Sequence, residues 1–526
     1  MFHLTRFTFT FTLLVKIHSV FNIKEDQAHW RTLGEKELKE ALTKRTIDGI
    51  AKNVILFVGD GLGPTTVTSS RIYGPGETGH LSWEKFSNIG VLKTYSANKL
   101  VPDSCSTATA LFCGVKANHK TSGVDATVDV DDCQASLKHE AQLNSIIGWA
   151  QDAGKATGFV TTTRVTHATP SALYAHTPNR NWECESKIPT GSSQCKDIAR
   201  QLIEDMPGKN IQVIMGGGRQ CLQSDVKGSP ADPIDTWSCY SKDGRDLIRD
   251  WIVDKSKRKA TFQVLQNNEE LQKADLNAEY TLGIFANGHL KMDFERDKGP
   301  KGMPSLLNMT ETAIKLLSSH KNGYVLMVEG GMIDFAHHRG HARKALDETV
   351  AFSDAIARAL EVTDPKETLI IVTSDHSHSM VFSGYPDRGT NVLSYTESAM
   401  DKEPFTSLLY GTGGPNNYQF TVENNTAKRI DPSKNDTTDF EYSQQAVVLT
   451  DEVTHSGTDV LVYANGPMAH LFTSVHEQSY VAYVISYAAR IGPHRDGLGN
   501  GTTSLSVNML SMIVLITIPI IKYYTS

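Results

Sequence analysis

The 526-residue chain has no excess of basic charge: 52 Lys and Arg face 59 Asp and Glu, a formal net charge of −7. Nucleic acids are bound through basic patches, so no nucleic-acid surface is expected. No apolar run reaches the roughly 20 residues of a membrane-spanning helix. The most apolar stretch, Met509–Ile521, has thirteen residues and contains Pro519. There is no dinucleotide-binding loop either, because Gly59-Asp60-Gly61-Leu62-Gly63 is spaced G-x-G-x-G rather than G-x-G-x-x-G. Met215-Gly-Gly-Gly-Arg219 reads as a tight connection, and no internal repeat is visible. With 39% hydrophobic and 21% charged residues, the chain is neither disordered nor fibrous. Its length suits one large α/β domain with insertions, or two or three domains of roughly 100–200 residues. It has 19 His, several of them beside acids, which directs attention to metal chemistry.

The two ends carry targeting signals. Phe7–Val15 lies between Arg6 and Lys16 and has the form of a short signal-peptide core, so residues 1–19 are expected to be removed; its Phe/Thr alternation also fits an amphipathic strand. Near the other end, Gly497, Gly499, Asn500 and Gly501 precede a Thr-Thr-Ser spacer and the short apolar tail. Small site, spacer and tail make a glycosylphosphatidylinositol (GPI) attachment signal over residues 496–526, with Asn500 as the attachment residue and Gly497 as the alternative. A tail anchor is the competing reading. Together the ends predict secretion, then lipid anchoring on the extracellular face of the cell membrane. Seven Cys suit that oxidising compartment. Cys133 could pair with Cys195 and Cys221 with Cys239, and Cys113 is the expected free thiol. Asn308, Asn424 and Asn435 each begin a glycosylation sequon.

Three apolar runs, Asn53–Val58, Tyr324–Val328 and Leu369–Val372, do not alternate, as expected of strands buried on both faces. Helical patterns such as Leu306–Leu317 and Ala342–Leu360 lie between them. The predicted fold is α/β, a mostly parallel sheet with helices on both faces. Each run ends in acid: Asp60, Glu329 and Asp375. Ligands of open α/β sheets bind beyond the carboxyl ends of strands, and three acids gathered there need cations. Asp334 and His338 share a helical face at a spacing of four. With His376 and His455 they offer the mixed nitrogen and oxygen donors of zinc; Asp60, Glu329 and hydroxyls suit magnesium. Ser104, after Asp103 and before a helix-forming run, reads equally as a helix start or as a nucleophile at an anion-welcoming helix N-terminus. Residues 383–452, rich in Gly, Pro, Asn and Asp, read as an insertion between His376 and His455.

Asp60 in VGDGLG, Asp103-Ser104 before STATA, TTTRVTHATP, AHTPNR, VEGGMIDFAHH, TSDHSH and THSGTD occur in this order. Together they resemble the alkaline phosphatases, specifically the GPI-anchored animal type, from about Asn53 to Tyr487. The resemblance implies a phosphatase domain over 20–495, with 383–452 as the family's crown near a homodimer interface. It implies two Zn²⁺, one held by Asp334, His338 and His455 and the other by Asp60, Asp375, His376 and Ser104. It also implies one Mg²⁺ on Asp60, Thr169 and Glu329, with Arg180 gripping the phosphate. The implied reaction is hydrolysis of small phosphate monoesters through a phosphoseryl intermediate, with broad specificity for the alcohol.

Some positions depart from the family. Phe335 stands where vertebrate relatives often have a His that helps organise water near phosphate, leaving His167 without its usual polar companion. Cys105-Ser106 replaces the commoner Ala-Gly. Ala286 and Met303 stand where the acids of a calcium site are expected, so no Ca²⁺ is predicted. A diesterase of the wider superfamily commonly uses Thr as nucleophile and lacks the Thr169–Glu329 set. A sulfatase needs a C-x-P-x-R context, which is missing. A silent surface receptor would have lost Ser104 or a metal ligand.

Overall fold

The structure is a computed structural model and describes residues 26–397 and 400–497. The expected signal segment and Asn500 with its following tail lie outside the described residues. The chain divides into two units at Arg45. The first contains the Gln27–Thr43 helix, which starts where Asp26 Oδ1 accepts from the Ala28 and His29 amides and which buries none of its residues.

The second unit is built on a ten-stranded sheet. Eight of its strands, in chain order, are β1 (Asn53–Gly59), β2 (Asn88–Lys93), β3 (Ala156–Arg164), β4 (Val213–Gly217), β5 (Phe262–Leu265), β6 (Tyr280–Ile284), β7 (Tyr324–Gly330) and β8 (Thr368–Ser374). The spatial order is Ser474–Glu477, β2, Val460–Asn465, β8, β1, β7, β3, β4, β6, β5. All neighbours run parallel except Val460–Asn465, which is antiparallel to both β8 and β2. Along β1, Val54, Leu56 and Val58 enter one core, while Ile55 and Phe57 enter the other. Burial on both faces is why these strands read as unbroken apolar runs. The Leu306–Ser318 and Ala342–Val362 helices cover one face, and the Ser104–Cys113 and Tyr480–Ala489 helices the other.

β1 lies between β7 and β8, and Gly59 pairs with both Gly330 and Ser374. That register brings Asp60 and Asp375 level, two residues beyond Glu329. Residues 383–452 leave the sheet and carry short strands. Leu408–Gly413 pairs with Met380–Phe382 and Ala446–Leu449 over a small separate core that includes Leu408, Tyr410 and Val453. The strands of this small sheet expose Val381, Phe382, Val447, Val448 and Leu449.

Cys133 and Cys195 form one disulfide, and Cys184 and Cys239 form another. The second pairing corrects the expectation of Cys221 with Cys239. The three cysteines share one buried cluster, but Cys221 Sγ meets the Cys239 carbonyl, at 3.4 Å, rather than its sulfur. Cys105, Cys113 and Cys221 are free and buried, and burial pushes the Cys105 and Cys113 thiols up to about 12. Asn308 lies in the first turn of the Leu306–Ser318 helix, Asn424 in the turn joining Phe420–Glu423 to Thr426–Arg429, and Asn435 just after a short 3₁₀ turn.

Candidate active site

Ser104 is the first residue of its helix. Asp103 caps that helix, accepting from the Ser106 amide at 3.4 Å and the Ser106 hydroxyl at 2.8 Å. The Cys105-Ser106 departure therefore keeps the helix start and adds a second bond to the cap. Asp103 also accepts from the Lys120 amide (2.9 Å) and from Arg180 Nη1 (3.2 Å). Burial opposes its ionisation, but Arg180 and these bonds hold its carboxyl below the usual range. One carboxylate thus orients both the Ser104 helix and the Arg180 guanidinium. Ser104 Oγ lies 3.1 Å from His376 Nε2, and both residues are buried.

Beyond the strand ends, Asp60 is fully buried and neither of its carboxylate oxygens has a hydrogen-bond partner among the described residues, His376 Nε2 standing 3.5 Å from Oδ1. Burial first, then the charges of Asp334, Asp375 and Glu329, raise its carboxyl well above the usual range. Asp375 Oδ1 accepts from the Gly61 and His376 amides at 3.1 and 2.8 Å, while its Oδ2 has no hydrogen-bond partner. Burial pushes this carboxyl up to about 6. Glu329 Oε2 is bonded by the Thr161 and Thr163 hydroxyls, its Oε1 is unpartnered, and burial pushes it up to about 7. Thr169 Oγ1, on the short Ala168–Ser171 helix after β3, is also buried and unpartnered. Such orphaned oxygens are rare in folded proteins and call for an explanation, here a cation.

Asp334 and His338 lie on the Met332–His338 helix. His338 Nε2 is 3.3 Å from Asp334 Oδ2, and His455 Nε2 is 3.4 Å from Asp334 Oδ1. The outer ring nitrogens are bonded to backbone carbonyls, His338 to Val453 (2.8 Å) and His455 to Pro102 (2.9 Å). The two Nε2 atoms face each other at 3.1 Å. Despite burial, His338 and His378 hold the Asp334 carboxyl well below the usual range, and Asp334 in turn pushes His338 up to about 9.

Three sets of side chains have donor atoms within 4.8 Å of one another: Asp334, His338, His378 and His455; Asp60, Asp334 and His376; and Asp60, His167 and Glu329. Asp375 approaches the second set through its Oδ2, 3.3 Å from His376 Nε2. Arg180 Nη2 lies 3.3 Å from His167 Nε2. The Phe335 ring meets the His289 ring at 5.5 Å, and His289 meets His167 at 5.1 Å.

The alkaline phosphatase family model matches residues 51–491. The tissue-nonspecific isozyme of alkaline phosphatase from Gallus gallus is 41% identical over 93% of this chain and 94% of its own. The chain belongs to the alkaline phosphatase family. The Gadus morhua alkaline phosphatase is 42% identical over 89% of this chain and 98% of its own. Among solved structures, alkaline phosphatases from the Antarctic bacterium TAB5 and from Thermus thermophilus share the fold. Their TM-scores are 0.55 and 0.56, with 23% and 21% identity, covering 84% and 85% of this chain and 99% and 93% of theirs. Metal-dependent hydrolysis of phosphate monoesters is accordingly the reaction of this alkaline phosphatase.

Two residues of the phosphatase site escaped sequence reasoning. His378 is buried, bonds Asp334 Oδ1 and pairs across strands with His455. The signal was present in Asp-His-Ser-His, since extended residues two apart share a side. His289, on the loop after β6, had no local signal. It lies against Phe335 and His167, and Arg164 Nη1 reaches it at 2.6 Å.

Proposed function

We propose that Ser104 is the nucleophile of a two-step phosphomonoesterase that works with two Zn²⁺ and one Mg²⁺. Asp334, His338 and His455 would hold one zinc, and Asp60, Asp375, His376 and Ser104 the other. Asp60, Thr169 and Glu329 would hold magnesium. The donor chemistry fits: imidazole and carboxylate for zinc, carboxylate and hydroxyl for the harder ion. The observation that carries the reading is Ser104 Oγ at 3.1 Å from His376, beside buried carboxylate oxygens that lack a hydrogen-bond partner among the described residues. Bound there, the ions would neutralise phosphate charge and lower the pKa of the attacking oxygens.

The chain's own residues then divide the work. Arg180, held by Asp103 and His167, offers a planar fork to two phosphate oxygens. Ser104 Oγ forms its bond to phosphorus as the bond to the leaving alcohol oxygen breaks, and that oxygen takes up a proton. Water then forms a bond to phosphorus as the Ser104–phosphorus bond breaks, and the Ser104 hydroxyl regains its proton. Phe335 supplies no polar group to order water near the phosphate, which leaves His167 and Arg180 to do so.

The same reading takes residues 20–495 as the phosphatase domain, with sugars on Asn308, Asn424 and Asn435. It takes the protein as a homodimer held to the outer membrane surface through Asn500. The exposed apolar surface of the small sheet within 383–452 supports self-association. No described helix is long and apolar enough to cross a membrane. A calcium ion is not part of the reading, because a fixed cation already uses the oxygens beside Ala286. Arg219 bonds Asp232 Oδ2, Asn287 Oδ1 and the Ile284 carbonyl at 2.8–2.9 Å. Acid quench during turnover of a labelled monoester tests the nucleophile. Wild type should trap covalent phosphate and Ser104→Ala none; full phosphoenzyme in the variant would overturn the assignment.

A further inference from the structure

Arg339 follows the Met332–His338 helix directly, one residue beyond His338. Its guanidinium carbon lies 5.1 Å from the centroid of the Phe335 ring and 5.6 Å from that of the Trp237 ring. Both distances are within the reach of a cation–π attraction, which restrains a side chain that would otherwise sample many rotamers. Arg339 is exposed, and among the described residues no carboxylate or other acceptor bonds its guanidinium. The chain carries 59 acids, so a surface arginine held in place yet unpaired is available to a ligand.

Trp237 is 82% exposed and sits on a loop tied to the wall of the active site. The loop is fastened by the Cys184–Cys239 disulfide, and Asp235 bonds Arg164 Nη1 at 2.7 Å. Arg164 in turn contacts His289, which lies against His167 and Phe335. The path from Arg339 to the Arg180 guanidinium therefore runs through three ring contacts of 5.1–5.5 Å. Arg339 and Trp237, at the outer end of this cluster, have no part in the attack on phosphorus. The cluster adjoins the centre twice, through His338 beside Arg339 in the chain and through His167, which meets Arg180 at 3.3 Å.

We propose that Arg339, braced by Phe335 and Trp237, is a second anion subsite that favours phosphomonoesters whose alcohol carries a further negative group. This rests on the phosphomonoesterase reading above and adds a substrate class to it. A guanidinium can bond a carboxylate or a second phosphate through two parallel N–H donors. It gives no advantage to a neutral alcohol, so selection adds to hydrolysis without being required for it.

Matched esters separate the two roles: phenyl phosphate against 3- and 4-carboxyphenyl phosphate. Arg339→Gln should lower kcat/KM for at least one carboxylated ester about fivefold, the scale of one exposed ion pair, and mainly through KM. Phenyl phosphate should be unaffected, and Arg339→Lys should retain part of the preference. High salt should erase the wild-type preference as it screens exposed charge. An equal loss on all three esters, or no loss on any, would overturn the subsite. Wild type inactive on every ester would instead overturn the hydrolysis on which the subsite rests, and the subsite with it.

Discussion

Around Asp334, the ring nitrogens of His338, His378 and His455 approach one carboxylate, and two of those rings are anchored to backbone carbonyls. Around Asp60, itself within 4.8 Å of Asp334, carboxylates and hydroxyls are joined by the His376 and His167 rings, and several oxygens have no hydrogen-bond partner among the described residues. The two halves differ in what they can do without metal. The histidine half can neutralise itself with a proton, since Asp334 is held well below the usual carboxyl range and His338 is pushed up to about 9. In the oxygen half burial holds His376 and His167 well below the usual imidazole range, so they do not take up such a proton and the carboxyls rise instead. Buried like charges must be neutralised by cations or by their own protons. One half is thus a preformed imidazole site, and the other depends on a bound cation.

Breaking the shared member should have the largest effect. Asp60 belongs to two of the three donor sets. Asp60→Asn should lower both zinc and magnesium content, measured by elemental analysis. It should also cost more activity than the roughly 10–100-fold typical of losing an outer partner. His378→Ala, which removes only such a partner from Asp334, should stay within that range. Equal losses from the two variants would end the distinction between the halves.

Chelation probes the oxygen half next. In the metal-free protein, Asp375 at about 6 and Glu329 at about 7 lie above ordinary carboxyl values. The folded state then binds more protons than the unfolded state, so their contribution is full below about pH 4 and is lost as pH rises through 6–7. The melting temperature of chelated protein should fall between pH 5 and pH 8 relative to metal-loaded protein. A gap that stays constant with pH would show that the oxygen half carries no uncompensated charge.

The smallest effect concerns Phe335, one residue from Asp334 and in ring contact with His289. Phe335→His should tighten inhibition by product phosphate, because a polar ring could then order water beside His167. The inhibition constants of wild type and variant at one pH decide it. An unchanged value would leave Phe335 as packing between the helix and His289.

The parts of the site legible in the sequence are those written in local periodicity. Asp60, Glu329 and Asp375 stood out because strands buried on both faces are unbroken apolar runs, and each run stopped at an acid. Asp334 and His338 stood out through helical spacing. Ser104 did not, since a capped helix start and a nucleophile look alike along one segment; its approach to His376 spans 272 positions. His378 was hidden because its strand is only two residues long and is defined by its pairing with distant His455. The Cys184–Cys239 bridge was hidden because three cysteines share one cluster and their spacing does not choose between partners. The resemblance to a known family supplied roles that periodicity could not.

The sheet order has a consequence for how the protein comes of age. β1, β7 and β8 are adjacent in space, yet their residues begin at 53, 324 and 368, and His455 comes later still. Contacts this far apart in sequence form late, after costly loop closure. No shorter product of an interrupted translation, and no fragment cut before His455, contains the whole centre. Activity is therefore a certificate of completion: a molecule that turns over substrate has been synthesised through its last donor and has brought both ends of its long loops home.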